Sequence, residues 1–280
     1  MTSNVSHMIR AVCTSVALVV CVAIAPLGTA QNAAPAKAQP TAQPPAGRPQ
    51  PAARRVSLQI TVVKIKPDML DQWLDFQKNE TIPMLKKAGI KSRDAWQTAV
   101  FGEGFMYGFV TPIETFTQFD GDAPAVRALG ADGARAYGEK NRRFIESTRT
   151  YLEQSRPDLS YDVKMTAPPK LAMLSSIQMV PGKAADFEAF IKSDVVPVMR
   201  KARLGYAVSQ TILGGDINGF TSLIFYDSFA EIGKGHPFQR VLGVEGERQL
   251  NEKAAAFVAH VERSVLRYVP DLSFTSRPTT

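Results

Sequence analysis

The sequence predicts an α+β protein made of two copies of one β-α-β-β-α-β unit. Residues 124–161 and 237–274 align without a gap at a constant separation of 113 positions, with 13 identities among 38 positions. The segment PDLS belongs to this alignment, at Pro157–Ser160 and again at Pro270–Ser273. Strand-like and helix-like hydrophobic periods also follow one another in the same order in both copies. These observations predict a duplicated fold.

The first 55 residues are predicted to precede the folded part. A basic residue, an apolar run of about 15 residues and the small residues Gly28–Ala30 are typical of a secretory signal peptide, residues 1–30. The run is shorter than the ~20 apolar residues that span a bilayer. Residues 31–55 are rich in Pro, Ala and Gln and are predicted to be a disordered linker. We therefore expect cleavage near Ala30 and a periplasmic or secreted protein, with no transmembrane segment after cleavage.

Composition argues against several kinds of site. Both cysteines, Cys13 and Cys21, lie in the predicted signal peptide, so the mature protein would have no disulfide and no cysteine metal ligand. Five of the 33 Lys and Arg residues precede position 56 and no Asp or Glu does, which leaves 28 basic against 26 acidic residues. This near balance does not indicate a nucleic-acid partner.

The first copy, predicted as residues 56–166, begins with a strand at 56–63, where apolar and polar residues alternate. A helix follows with an apolar face, and Pro83 is expected to break or kink it. Two strands, 95–101 and 105–110, flank glycines and read as a hairpin. A second helix is predicted at 130–154. PDLSY, residues 157–161, is expected to form the turn after that helix and to begin the closing strand.

The second copy, predicted as residues 167–280, repeats this order. Its first helix carries Pro197 at the position of Pro83, and its second helix is predicted at 243–267. The order in each copy is that of a ferredoxin-like unit. Each such sheet leaves one apolar face bare, so we predict two tandem ferredoxin-like repeats whose sheets join into an intramolecular dimeric α/β barrel.

The stretch VPGKAADFEAFIKSDVVPVMRKA, with the hairpin and helix that follow, resembles the dimeric α/β-barrel superfamily. It is most similar to NIPSNAP-like and antibiotic-biosynthesis-monooxygenase-like members, in which a P-G-x-x-x-x-F opening of the first helix recurs. The resemblance covers both copies, about 56–280. It implies the barrel fold and leaves the activity open, because families of this fold include cofactor-free monooxygenases, haem-dependent enzymes, isomerases and proteins without a known reaction.

Duplicated arginines are the first candidate ligand-binding residues: Arg127 with Arg240, and Arg135 with Arg248. A guanidinium offers a rigid fork for a carboxylate or phosphate. The alternative is structural, with Arg135 pairing Glu139 on a helix surface and Arg127 tying down the loop before the next helix. The glycines of LG-x-x-G-x-R are expected to serve turns or close packing.

Trp96 and Tyr107, on the first predicted hairpin, are the aromatic ligand-binding candidates, with core filling as the alternative. Trp96 aligns near Ser209, so the halves differ there. The resemblance implies haem in some members, held by a set of Asn, Trp and His that does not map onto this chain. We expect no cofactor and no metal; His236 is a weak haem-ligand candidate, and His260 is predicted on the second helix of its copy.

Three functions stay open at this stage. The first is a periplasmic module that binds a small apolar or anionic ligand. The second is a monooxygenase-like enzyme, with or without haem, acting on an aromatic or polyketide-like substrate. The third is a structural interaction domain, and self-association is compatible with all three. The repeated Asp158 and Asp271 are interpreted as turn residues that bond nearby backbone amides, rather than as catalytic acids.

Overall fold

The computed structural model describes residues 54–163 and 168–275, so the predicted signal peptide and almost all of the predicted linker lie outside the described residues. The first half contains β1 (Ser57–Ile65), α1 (Leu70–Phe76, Gln77–Thr81 and Ile82–Lys87), β2 (Ser92–Thr98), β3 (Met106–Ile113), α2 (Pro124–Phe144) and β4 (Ile145–Ser155). The second half contains β5 (Leu171–Met179), α3 (Ala184–Phe190, Ile191–Val195 and Val196–Ala202), β6 (Tyr206–Leu213), β7 (Gly219–Tyr226), a one-turn helix (Phe229–Ile232), α4 (Pro237–Ala254), β8 (Val258–Tyr268) and the short β9 (Phe274–Thr275).

Eight antiparallel strands close into a barrel in the neighbour order β3-β1-β4-β6-β7-β5-β8-β2, and β2 pairs with β3 to complete it. The halves meet at two seams, β4 against β6 and β2 against β8. Successive residues of a strand point to opposite faces, so one set fills the barrel and the other faces the four long helices. The predicted α+β barrel architecture is confirmed.

The predicted C-terminal ends of the second helix of each copy were wrong. α2 ends at Phe144 and α4 at Ala254, and an eleven-residue strand follows each of them. Residues 146–150 are all exposed, so this part of β4 lacks the apolar alternation that marks a half-buried strand. Pairing along the whole of β1 fixes β4 as a strand. His260, predicted on a helix, accordingly lies exposed on β8.

The repeated PDLS segments are turns, as predicted, but each follows a strand rather than a helix and crosses to the other half. Pro157–Leu159 and Pro270–Leu272 form single 3-10 turns. Leu159 and Leu272 are both completely buried. The proline does not stop a helix here, because the preceding residues already pair with β1 or β5.

The serine of each PDLS segment attaches it to the other half. Ser160 Oγ accepts the Val208 amide of β6 at 3.0 Å, and Ser273 Oγ accepts the Ala95 amide of β2 at 2.9 Å. The following residue extends the contact: Tyr161 bridges β6, and Phe274 of β9 pairs with β2. The two copies of PDLS therefore fasten the halves together across both seams.

Both first helices continue through the prolines that were predicted to break or kink them. Pro83 and Pro197 each lie two residues after a π-helical turn, Gln77–Thr81 or Ile191–Val195. Proline lacks an amide hydrogen and its ring crowds the preceding turn. We attribute its tolerance to the wider π turn, whose hydrogen bonds already depart from the α-helical pattern.

The glycines of the repeated LG-x-x-G motif serve a turn and close packing, as expected. Gly130 and Gly243 both have φ of +73°, which interrupts α2 and α4. A Cβ on Gly133 would lie 2.8 Å from the Leu129 Cβ. In the part of the chain that the structure covers, no helix has the length and apolarity needed to cross a membrane.

Candidate functional site: a polar pocket in the first half

A cavity of about 220 Å³ lies between the sheet and the helices of the first half. β1, β2 and β3 form its floor, and α1 and α2 cover it. Its wall combines apolar with polar residues; the polar residues are Gln59, Thr61, Gln77, Thr81, Arg93, Thr111, Tyr137 and Asn141. We call this cavity the Arg93 pocket.

Most pocket-lining residues of the two helices recur at every fourth position of the chain. Trp73, Gln77, Thr81 and Leu85 follow one another along α1, and Tyr137 and Asn141 do so along α2. Gln77 and Thr81 are the two ends of the π-helical turn and are both buried. π turns are frequently found at functional sites, and this one turns two polar side chains inward.

Arg93 is the charged group of the pocket and is only 5% exposed. Its Nη1 donates to Gln77 Oε1 at 3.3 Å and its Nη2 to the Leu272 carbonyl at 3.1 Å. The guanidinium lies 4.3 Å from the centre of the Phe109 ring. The Leu272 contact means that the PDLS segment of the second half completes a site in the first half.

The pocket is electropositive. Burial lowers the pKa of Arg93 to about 10, so this guanidinium stays protonated at neutral pH. No Asp or Glu is among the residues that line the pocket in the described ranges. Burial also raises the pKa of Tyr137, whose hydroxyl lies 2.9 Å from Thr81 Oγ1, so this phenol is neutral.

Two buried polar atoms of the pocket residues have no hydrogen-bond partner among the residues described: Arg93 Nε and Asn141 Oδ1. Buried polar groups in native proteins are paired in the great majority of cases, and an exception calls for an explanation such as a water, an ion or a ligand. The two atoms differ in kind, since Nε–H donates and Oδ1 accepts.

In the second half, buried side chains occupy the corresponding space between sheet and helices. The π turn of the second half begins 114 positions after that of the first half. The paired residues of β6 and β7 lie 113 positions after those of β2 and β3. At the positions of Gln77, Thr81, Arg93, Tyr137 and Asn141 stand Ile191, Val195, Tyr206, Leu250 and Ala254. The first four of these belong to the largest buried hydrophobic cluster, and Ala254 packs against it. Apolar side chains thus replace Gln77, Thr81, Tyr137 and Asn141 of the pocket, although the second half keeps buried serines at the positions of Thr61 and Phe109, Ser175 and Ser222.

The barrel interior holds two buried carboxyl groups on the opposite face of the sheet. Asp94 on β2 is 6% exposed and accepts the Tyr268 hydroxyl at 3.3 Å; burial raises its pKa to about 7. Glu153 on β4 is 3% exposed and accepts the hydroxyls of Ser209 and Thr221, the latter at 2.6 Å; burial raises its pKa as well. One acid lies at each seam between the halves.

The duplicated arginines lie on the surface. Arg127 donates to the carbonyls of Ala88 and Asp122, the latter at 2.6 Å, which is the structural role considered for it. Arg240 is exposed.

Surface ion pairs account for the other duplicated arginines. Arg135 pairs with Asp132 at 3.5 Å, not with Glu139 as predicted. The aspartate precedes the arginine by three residues, about one helical turn, rather than following it by four. Arg248 does pair at spacing four, with Glu252, and also with Glu245.

The aromatic candidates are buried on opposite faces of the sheet. Trp96 lies inside the barrel at the β2–β8 seam, edge-on to Tyr268 with ring centres 5.2 Å apart. Tyr107 lies under α1, with its ring centre 4.5 Å from that of Trp73. Both belong to buried clusters, and neither lines the Arg93 pocket. Ligand binding by either residue stays a prediction.

His236 begins α4, where its Nδ1 accepts the Phe238 amide at 3.4 Å. Burial lowers its pKa to about 4, so the ring is neutral. It lies in the second half, outside the Arg93 pocket, whose lining contains no His, Cys or Met. Within residues 54–163 and 168–275, no three His, Asp or Glu side chains are grouped as metal ligands.

The repeated aspartates bind cations. Asp158 accepts two hydrogen bonds from Arg156, at 2.8 and 2.9 Å, and Asp271 binds Lys78 at 2.8 Å. Nearby backbone amides had been predicted as partners; the carboxylates also bind a buried arginine in one half and a lysine of α1 in the other. The Arg156 contact holds the pKa of Asp158 at about 2.

The polar residues of the pocket were missed in the sequence, although a signal was present. Aligning the copies by their identities draws attention to shared residues. Part of the pocket instead lies where the copies differ: Gln77, Thr81 and Asn141 of the first copy correspond to Ile191, Val195 and Ala254 of the second. Arg93 falls near the one-residue change in spacing, so its partner in the second copy was not assignable from the sequence.

Several solved structures share this fold. They include an anthrone oxidase-like protein (10% identity, TM-score 0.51, 81% of this chain and 95% of that chain) and a candidate monooxygenase from Fusobacterium nucleatum (11%, 0.51, 79% and 94%). A chlorite dismutase variant from Candidatus Nitrospira defluvii matches similarly (8%, 0.51, 78% and 92%). No protein-family model and no curated protein sequence matches the chain. At these identities the likeness shows the fold alone, an α+β antiparallel barrel.

Proposed function

We propose that this protein is a small-ligand-binding barrel whose ligand occupies the Arg93 pocket. The observation that carries the proposal is the difference between the halves, since Gln77, Thr81, Tyr137 and Asn141 line a cavity in the first half, whereas the residues at their positions in the second half belong to or pack against a buried hydrophobic cluster. Arg93 Nε has no hydrogen-bond partner among the described residues, and a ligand that accepts from it would supply one.

The test fills the pocket with the residues that the second half uses. The variant Gln77→Ile/Thr81→Val should fold and should lose any molecule that native mass spectrometry detects on the wild-type protein. Ile191→Leu, a change of similar kind in the filled π turn, is the control and should leave binding intact. A wild-type protein that carries no ligand and binds none from a metabolite library would contradict the proposal and favour a structural interaction domain.

A monooxygenase-like enzyme is the second candidate, favoured by neighbours described as monooxygenase and anthrone oxidase-like. The measurement is oxygen uptake after addition of an anthrone to the purified protein. Uptake that disappears in Gln77→Ile/Thr81→Val would favour the enzyme and place the reaction in the Arg93 pocket. Binding without uptake would leave the binding function alone.

Haem does not fit the Arg93 pocket. The cavity of about 220 Å³ lies below the ~300–1,000 Å³ of ligand and cofactor sites, and no histidine lines it. We therefore propose no haem-dependent step. A Soret band in protein purified from a haem-replete host, lost in His236→Ala, would overturn this assignment and identify a site elsewhere.

We further propose the finer organisation that the sequence predicted. The two β-α-β-β-α-β halves would be tandem ferredoxin-like repeats, as NIPSNAP-like proteins were expected to have, with cleavage near Ala30 and export to the periplasm or beyond. N-terminal sequencing of the protein from a cell envelope fraction tests the cleavage. Multi-angle light scattering of the same sample tests self-association.

A further inference from the structure

The unpaired atoms of the Arg93 pocket specify the ligand further, if the ligand lies where the proposed function puts it. Arg93 Nε is a buried donor without a partner. Two of the guanidinium's other N–H groups are held by Gln77 and Leu272, which fixes its orientation. A fixed cation with a free N–H, in a pocket without a carboxylate, favours an anionic acceptor.

The second unpaired atom requires a donor. Asn141 Oδ1 is buried and accepts no hydrogen bond within the described part of the chain. A carboxylate cannot satisfy it, because an ionised carboxylate only accepts. The ligand must therefore carry a donor as well as its anionic group, and a hydroxyl fits better than an ammonium group because the lining has no carboxylate to pair a second cation.

The size and the apolar wall of the pocket limit the rest of the ligand. Trp73 and Phe109 provide aromatic surface, and the volume of about 220 Å³ is small for a ligand site. A compact and largely apolar body satisfies both limits. A nucleotide or other polyanion does not, because the lining offers one cation.

We infer that the Arg93 pocket binds a small monocarboxylic acid that also bears a hydroxyl group. The carboxylate accepts from Arg93, the hydroxyl donates to Asn141, and the body of the molecule contacts Trp73 and Phe109. A site built to bond a ligand hydroxyl discriminates strongly against the analogue that lacks it, because its own polar atom is then left buried and unpaired.

The experiment is isothermal titration of the full mature chain with the three monohydroxybenzoate isomers, benzoate and the matching hydroxybenzamides. At least one hydroxybenzoate should bind about tenfold more tightly than benzoate and than its own amide. Asn141→Ala, which installs the residue of the second half, should remove the preference for the hydroxyl and retain benzoate binding. Arg93→Gln should remove the preference for the carboxylate.

Asn251→Ala, on the exposed face of α4, is the control and should leave both preferences unchanged. Comparing two ligands within one variant keeps the test valid where a substitution lowers stability. Benzoate binding as tightly as every isomer, or a hydroxyl preference that survives Asn141→Ala, would overturn the inference. If no benzoate binds while native mass spectrometry finds another ligand that Gln77→Ile/Thr81→Val releases, the ligand class is wrong and the pocket's function stands.

Discussion

Replacing Asp94 by asparagine is expected to abolish much of the loss of stability that the wild-type protein undergoes between pH 5 and pH 8. Asp94 is buried in the barrel with Tyr268 as its hydrogen-bond donor, and burial raises its pKa from 3.8 to about 7. Between these two values the folded protein binds the proton and the unfolded chain does not. Stability therefore falls as pH rises from about 4 to about 7 and is level above that.

The magnitude follows from the size of the shift. About three pKa units correspond to about 4 kcal/mol over the whole range, at about 1.4 kcal/mol per unit. About 3 kcal/mol of this falls between pH 5 and pH 8. Asparagine is close in shape to the protonated aspartic acid and does not titrate, so Asp94→Asn should lack this part of the slope. Glu153 adds a loss of the same sign in both proteins, because burial raises its pKa too.

The assay is urea denaturation of both proteins at half-unit steps from pH 5 to pH 8. The difference in the free energy of unfolding between Asp94→Asn and the wild type should grow by about 3 kcal/mol in favour of the variant. Asp68→Asn, at an exposed position in the turn before α1, is the control and should follow the wild-type slope. Parallel curves for Asp94→Asn and the wild type would show that Asp94 is ionised in the folded protein at pH 5.

Three further predictions concern a buried leucine of PDLS, the buried Arg156 and Gly130. Leu272→Ala should lower the free energy of unfolding by about 2–5 kcal/mol in urea, because the leucine is completely buried; a loss under 1 kcal/mol would mean that the PDLS segment is not fastened as described. Arg156→Leu should cost about 3 kcal/mol by the same measurement, since it leaves Asp158 and Glu188 without their shared cation, and a neutral result would contradict this. Gly130→Ala should cost about 1–3 kcal/mol because of its φ of +73°, whereas Gly138→Ala, within the helical part of α2, should be neutral or stabilising; equal effects in thermal melts would refute the role given to Gly130.

The sequence predicted those elements of the fold whose hydrophobic pattern is visible within a short stretch of chain. The strand at β1, the hairpin of β2 and β3 and the π-containing first helices all have hydrophobic periods that identify them in isolation. β4 and β8 were misjudged as helix because their exposed, charged segments carry no such period. Long-range pairing with β1 and β5 determines them, and local propensity does not report it.

The candidate site shows the same division at the level of side chains. Trp96, Tyr107 and the repeated arginines stood out by residue type, yet the arginines serve surface contacts and the aromatic residues fill clusters. Gln77, Thr81 and Asn141 are ordinary residue types and gave no signal alone. They matter because α1, α2 and the sheet bring them around Arg93.

By itself the sequence predicted the α+β class and showed that the PDLS segment recurs 113 positions further along, since recurrence is visible without coordinates. Tertiary structure decided that each PDLS segment binds the opposite half. It also decided that the space between sheet and helices is a cavity with polar residues in the first half and is occupied by a hydrophobic cluster in the second. The physical reason is that burial belongs to a position in three dimensions. Corresponding positions of the two halves face a cavity in the first half and a packed core in the second.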